Sequence, residues 1–166
     1  MEQVRGDRAD ADAMRAAIEG MHLTQSGFAA LMRGLGDGRE FRTVLRSVQR
    51  MATTEARVSG EMQVILSLLA RDRARAKRLA ATIDWKPDDR GGFSAEVQGV
   101  RISVAPQRGD RWSVHARHVA DGPDGYSPSF PHWRDSLEEA KIRAVLAIDE
   151  TLDQVEQIRS DAATGD

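Results

Sequence analysis

Leu23-Thr24-Gln25-Ser26-Gly27-Phe28-Ala29-Ala30-Leu31 decides how the first half of this chain folds. A threonine placed before an apolar-periodic run is a good N-cap, because its hydroxyl accepts from an amide about three residues on that has no partner inside the helix. Gln25 then falls in the first turn, where free amides and a polar side chain suit a backbone phosphate. Phe28, Leu31 and Met32 make the face to be buried. Ala29 adds no bulk there, which permits a second helix to cross close behind.

Outward from this segment, Arg33-Gly34-Leu35-Gly36-Asp37-Gly38 makes a three-glycine connection, and glycine readily supplies the positive φ that ends a helix. The next helix is predicted over residues 40–53, with Arg39 at its edge. Phe41, Val44, Leu45 and Val48 recur at three- and four-residue spacing and form one stripe. Arg42, Arg46, Ser47, Gln49 and Arg50 fall mostly off it. Arginine can donate two hydrogen bonds to guanine and glutamine can pair with adenine in the major groove, so this composition suits a recognition helix.

The Thr24, Gln25 and Ala29 placement, followed by a basic amphipathic helix, resembles the helix-turn-helix of the λ-repressor/Cro-like (XRE) transcription regulators over residues 14–70. That resemblance implies duplex DNA as the partner, with Thr24 and Gln25 at the phosphates and Arg39, Arg42, Thr43, Arg46, Ser47 and Arg50 on the recognition helix. Ala52-Thr53-Thr54-Glu55-Ala56-Arg57-Val58-Ser59-Gly60 resembles the family segment leading into the next helix, which makes Arg57 a candidate phosphate contact. Ser59 can cap a helix carrying Met62, Ile65, Leu66 and Leu69. Good helix formers carry it through the charge run 71–78, read as a solvated face, to about Thr82.

A chain of 166 residues with 40% apolar content can build one ordinary domain or two small ones. It has no cysteine, hence neither a disulfide framework nor a cysteine zinc site. No run of about eighteen apolar residues is present, and the first residues carry acids where a signal peptide would be basic, so a cytoplasmic protein without membrane insertion is expected. Net charge is −2, but residues 1–83 hold 14 Lys and Arg against 10 Asp and Glu, and residues 84–166 hold 10 against 16. A basic first half attracts phosphate while an acidic second half limits indiscriminate binding.

The apolar period changes after Asp84-Trp85-Lys86-Pro87-Asp88-Asp89-Arg90-Gly91-Gly92, read as a linker. Phe93, Ala95 and Val97 alternate with polar residues, as do Val100, Ile102 and Val104, then Trp112, Val114 and Ala116. Three short strands in succession predict an antiparallel meander with one buried face. A fourth, edge strand is expected near residues 126–130, because Pro128 and Pro131 exclude a central position. Trp85, Trp112, Tyr126, Phe130 and Trp133 read as the core of this small domain.

Ser136 and Glu139 form a capping box opening a helix that carries Leu137, Ala140, Ala144, Val145, Ile148, Leu152, Val155 and Ile158. A six-residue strand spans about 20 Å and such a helix over about 30 Å. The distal stripe is therefore expected to overhang and to need a partner, a second copy of the chain or the N-terminal domain; Val145, Ile148, Leu152, Val155 and Ile158 are predicted to contribute to a homodimer.

His115 and His118 differ by an odd number along a strand and point to opposite faces, so a metal site is not expected. No nucleophile elbow, P-loop, dinucleotide fingerprint or metalloprotease motif is present. The expectation is therefore not an enzyme, with neither cofactor nor metal. The expected fold class is α+β: a disordered tail (1–11), a helical bundle with helix-turn-helix (12–83), the linker (84–92), an antiparallel β-β-β-α dimerisation or interaction domain (93–159) and a disordered tail (160–166). The function expected is a sequence-specific DNA-binding transcription regulator, a dimeric repressor. The alternative is a protein-binding adaptor or inhibitor from a mobile element, acting through the sheet domain.

Overall fold

The computed structural model describes residues 6–109, 111–121, 129–133 and 136–164. The architecture is α+β. Four helices come first: α1 (Arg8–Gly20), α2 (Gln25–Gly34), α3 (Phe41–Ala52) and α4 (Gly60–Thr82). An antiparallel sheet comes next, with β1 (Lys86–Pro87), β2 (Phe93–Val97), β3 (Val100–Gln107), β4 (Arg111–His118) and β5 (Ser129–Trp133). The closing helix is α5 (Leu137–Thr164). Two compact units divide within α4, residues 1–71 and 72–166.

In the first unit, Asp7 caps α1 by accepting from the Ala9 amide at 2.8 Å, and Met14 and Ile18 turn inward. They meet Phe28, Ala29 and Met32 of α2, Val44, Val48 and Met51 of α3, and Met62 and Leu66 of α4. Phe28 and Ala29 are fully buried, which fits the small residue expected where helices approach closely. Ser59 opens α4 by accepting from the Met62 amide at 3.2 Å. The polar N-terminal segment is shorter than predicted. Residues 8–11 are helical and Ala11 is 1% exposed, because α1 packs its inner face from its first turn. Residues 1–5 lie outside the described residues.

Gly6 is tied to the loop after α3, donating from its amide to the Thr54 carbonyl at 3.1 Å. A Cβ there would fall 2.4 Å from the Ala56 carbonyl oxygen, so only glycine fits.

In the second unit, the strands pair in the order β1-β2-β3-β4-β5, all antiparallel. Gln98 and Gly99 both have positive φ and join β2 to β3 in the two-residue turn whose twist suits a hairpin. Alternation places Val100, Ile102, Val104, Val114 and Ala116 on one face, buried against α5 residues Ala140, Ala144, Val145 and Ile148. β5 is an edge strand, as its proline requires. Residues 126–128 and the side chains of Phe130 and Trp133 lie outside the described residues. Trp85 and Trp112 pack half-buried against this core.

Three expectations are corrected here. The stretch 84–92 is not a linker: it carries β1, and Ala76 and Ala80 of α4 are already buried in the second core. Proline and glycine there build a strand and turn, while the division falls where α4 passes from one core to the other. The predicted dimer residues Val145, Ile148 and Leu152 pack into their own unit and Val155 is buried, leaving Ile158 exposed at 52%. The reason is strand length, since β3 and β4 each have eight residues and span about 26 Å rather than 20 Å. Residues 160–164, predicted as disordered tail, continue α5, while residues 165–166 lie outside the described residues. No helix among the described residues is long and apolar enough to cross a membrane.

Candidate nucleic-acid interface

Thr24 occupies the N-cap of α2 with extended backbone, and its hydroxyl accepts from the Gly27 amide at 3.0 Å. The same hydroxyl keeps its own hydrogen for donation. Thr24 is exposed, Gln25 half-buried, and the amides of Gln25 and Ser26 have no partner among the described residues. This end of α2 therefore presents donors and a positive dipole end.

Six residues separate α2 from α3 (residues 35–40), more than the three or four of a tight helix-turn-helix connection. Of its glycines, Gly36 takes the left-handed region, with φ +105°. Asp37 then folds over Arg39, two residues on. Its carboxylate accepts from the Arg39 amide at 3.2 Å and from the Arg39 Nε and Nη2, at 2.9 Å and 2.6 Å. The hydrogen bonds from the Arg39 side chain lower the Asp37 carboxyl to about 2, in a half-buried position beside an exposed arginine.

α3 buries Val44, Val48, Met51 and Ala52 and leaves a basic face outside. Arg39, Arg42, Thr43, Arg46, Ser47 and Arg50 line one concavity of about 650 Å³ together with Ala56. The five that belong to α3, Arg42, Thr43, Arg46, Ser47 and Arg50, fall within about 140° of the helix circumference, at 100° per residue. The four arginines recur at spacings of three, four and four and all are exposed. Arg39 is neutralised by Asp37, whereas no carboxylate among the described residues pairs with Arg42, Arg46 or Arg50.

Three guanidiniums without counter-charge on one concave face, with two hydroxyls between them, can accept anions and hydrogen-bond acceptors over about 12 Å of helix. Thr24, Gln25 and Arg57 do not line this concavity, although Thr24 and Arg57 are exposed. Sequence reasoning missed Ala56, which enters because the loop after α3 doubles back: its amide donates to the Arg50 carbonyl at 3.0 Å. The Asp37–Arg39 clamp was missed as well, although Asp-Gly-Arg at this spacing was the available signal.

The location of the positive charge also differs from the sequence reading. With the division after Arg71, the first unit holds ten Lys and Arg against nine Asp and Glu, and the second 14 against 17. The asymmetry between halves nearly vanishes. Residues 39–57 hold five arginines against two glutamates, and residues 71–78 of α4 hold four arginines and a lysine against one aspartate, so the basic character is concentrated in these two stretches.

The chain matches no protein-family model, no curated protein and no solved structure. The helix-turn-helix reading accordingly stands on these residues alone. Elsewhere, register places His115 opposite Ser103 and His118 opposite Val100, on the two faces of the sheet. Among the described residues, no group of three or more His, Cys, Asp or Glu is arranged to hold a metal ion.

Proposed function

We propose that the first unit is a helix-turn-helix module that binds duplex DNA with sequence preference, and that the chain is a transcription regulator. The observation that carries this reading is the α3 face, where Arg42, Arg46 and Arg50 are exposed, without carboxylate partners, and interleaved with Thr43 and Ser47 on one concave surface. A helix of 12 residues is about 18 Å long and narrow enough to enter the major groove. Thr24, with the free amides of Gln25 and Ser26, supplies phosphate contacts at the start of the preceding helix, and Arg57 supplies another from the following loop. Repression is the output we assign, because a module seated on promoter DNA excludes other proteins from it.

The test is selection from a library of genomic DNA fragments by the full chain at near-physiological salt, followed by gel shifts on the retained sequences. Arg46→Ala should cost about 1–3 kcal/mol on the preferred site and relax the preference at one position. Arg57→Ala should weaken all sequences alike. Retention of no fragment above background, or two folded variants that bind as the wild type does, would rule the assignment out.

A further inference from the structure

The second unit has a cleft of about 550 Å³ between the end of α4, Trp85 and the first turns of α5. Its size falls in the range of small-molecule sites, about 300–1,000 Å³. The floor is apolar, formed by Ala80, Ile83, Leu137 and Ile142. Trp85 makes an aromatic wall whose position is fixed, because its indole N–H donates to the Ala80 carbonyl at 3.0 Å. The polar groups sit at the rim and are mostly cationic.

Lys141 holds its ammonium 4.3 Å from the centre of the Phe93 ring and 5.2 Å from that of Trp85. Lys77 reaches Glu138 across the cleft at 3.0 Å, in a pair whose side chains are both about two-thirds exposed. An exposed pair of this kind contributes little and opens readily. Two lysines and one glutamate belong to the lining, so the cleft has an excess of one positive charge beside its apolar residues. Lys141 is also placed in advance: with ring faces on two sides of its ammonium, at least one of its three donors remains able to meet an oxyanion.

We propose that this cleft binds a small apolar carboxylate, with a flat ring or short acyl body on the floor against Trp85 and its carboxylate between Lys141 and Lys77. The cationic rim discriminates against the neutral and the cationic analogue of the same body. The proposal is independent of DNA binding by the first unit.

The experiment is isothermal titration calorimetry of the full chain with three probes of one shape: 1-naphthoate, 1-naphthalenemethanol and 1-naphthylmethylamine. The expected result is saturable binding of one 1-naphthoate per chain, with the neutral probe about tenfold weaker and the amine weaker still. Lys141→Met, which keeps the apolar stem, should weaken 1-naphthoate about tenfold and leave 1-naphthalenemethanol unchanged. Ala81→Trp places an indole at the cleft wall and should abolish binding of all three, with folding checked by circular dichroism. Absence of saturable 1-naphthoate binding to the wild type overturns the proposal. So does equal affinity for the three probes, preference for the amine, or binding unaffected by Ala81→Trp in a folded protein.

Discussion

Arg73 of α4 donates through both ends of its guanidinium to both carboxylate oxygens of Glu139, in the first turn of α5. Glu139 is 4% exposed and Arg73 17% exposed, so this is a largely buried, two-pronged pair, with the Arg143 side chain 3.9 Å from the same carboxylate. The Ser136 hydroxyl accepts from the Glu139 amide at 3.2 Å, as a capping box requires. The carboxylate meanwhile serves a contact 66 positions away in the chain. Removing Arg73 leaves the buried Glu139 carboxylate with a more distant cation, Arg143, in place of a two-pronged partner. Arg73→Met is expected to lower stability by about 2–3 kcal/mol, measured by urea unfolding, below the about 3–5 kcal/mol lost when a buried charge keeps no partner. A single variant as stable as wild type would contradict the arrangement.

Asp37 and Arg39 give a pH signature. The Arg39 side-chain hydrogen bonds hold the Asp37 carboxyl at about 2, below its ordinary value of 3.8. A carboxyl whose folded value is lowered adds stability that is present above the unfolded value and is lost as pH falls through the folded one. The contribution is therefore complete above pH 4 and disappears toward pH 2, and solvent around the exposed Arg39 partner keeps it small. An NMR titration should show Asp37 with a midpoint near 2, returning to the ordinary range in Arg39→Ala.

The same clamp bears on the proposed DNA contact. Asp37→Asn releases Arg39 at the edge of the concavity, adding one cation for phosphate. Apparent DNA affinity should rise at low salt, and the slope of log K against log salt should steepen by about 0.9. An unchanged slope would place Arg39 outside the interface.

Thr54 lies in the left-handed region, with φ +66°, which is costly for a β-branched residue. Its carbonyl accepts from Gly6 and its amide donates to the Met51 carbonyl, so the loop holds it there. Thr54→Gly relieves the strain and should stabilise the protein by about 1 kcal/mol, seen as a higher melting temperature. A fall in melting temperature would mean that the side chain contributes more than its backbone costs.

α5 offers a paired test of burial. Leu152 packs half-buried against the second core, so Leu152→Asp should destabilise the chain by about 3 kcal/mol in urea unfolding. Ile158, exposed at 52%, should tolerate the same change within about 0.5 kcal/mol. If Leu152→Asp instead yields a stable protein of halved mass in sedimentation, the residue serves an interface between copies.

The local rules of helix and strand were enough to place most elements from sequence. Thr24 and Ser59 fix the starts of α2 and α4 because capping is decided within three residues, and the alternation of Phe93 to Ala116 fixes the inward face because strand side chains repeat every two. The α3 face was legible for the same reason: arginines at helical spacing off an apolar stripe must share a side. Tertiary structure alone decided what lies far apart in the chain or depends on lengths. It assigned Ala76 and Ala80 to the second core, gave Arg73 to Glu139, and lengthened β3 and β4 until Val145, Ile148 and Leu152 were covered within their own unit. It also brought Arg39, Arg42, Arg46 and Arg50 to one concave surface with Ala56, since charge counted along a chain does not know which residues the fold brings together.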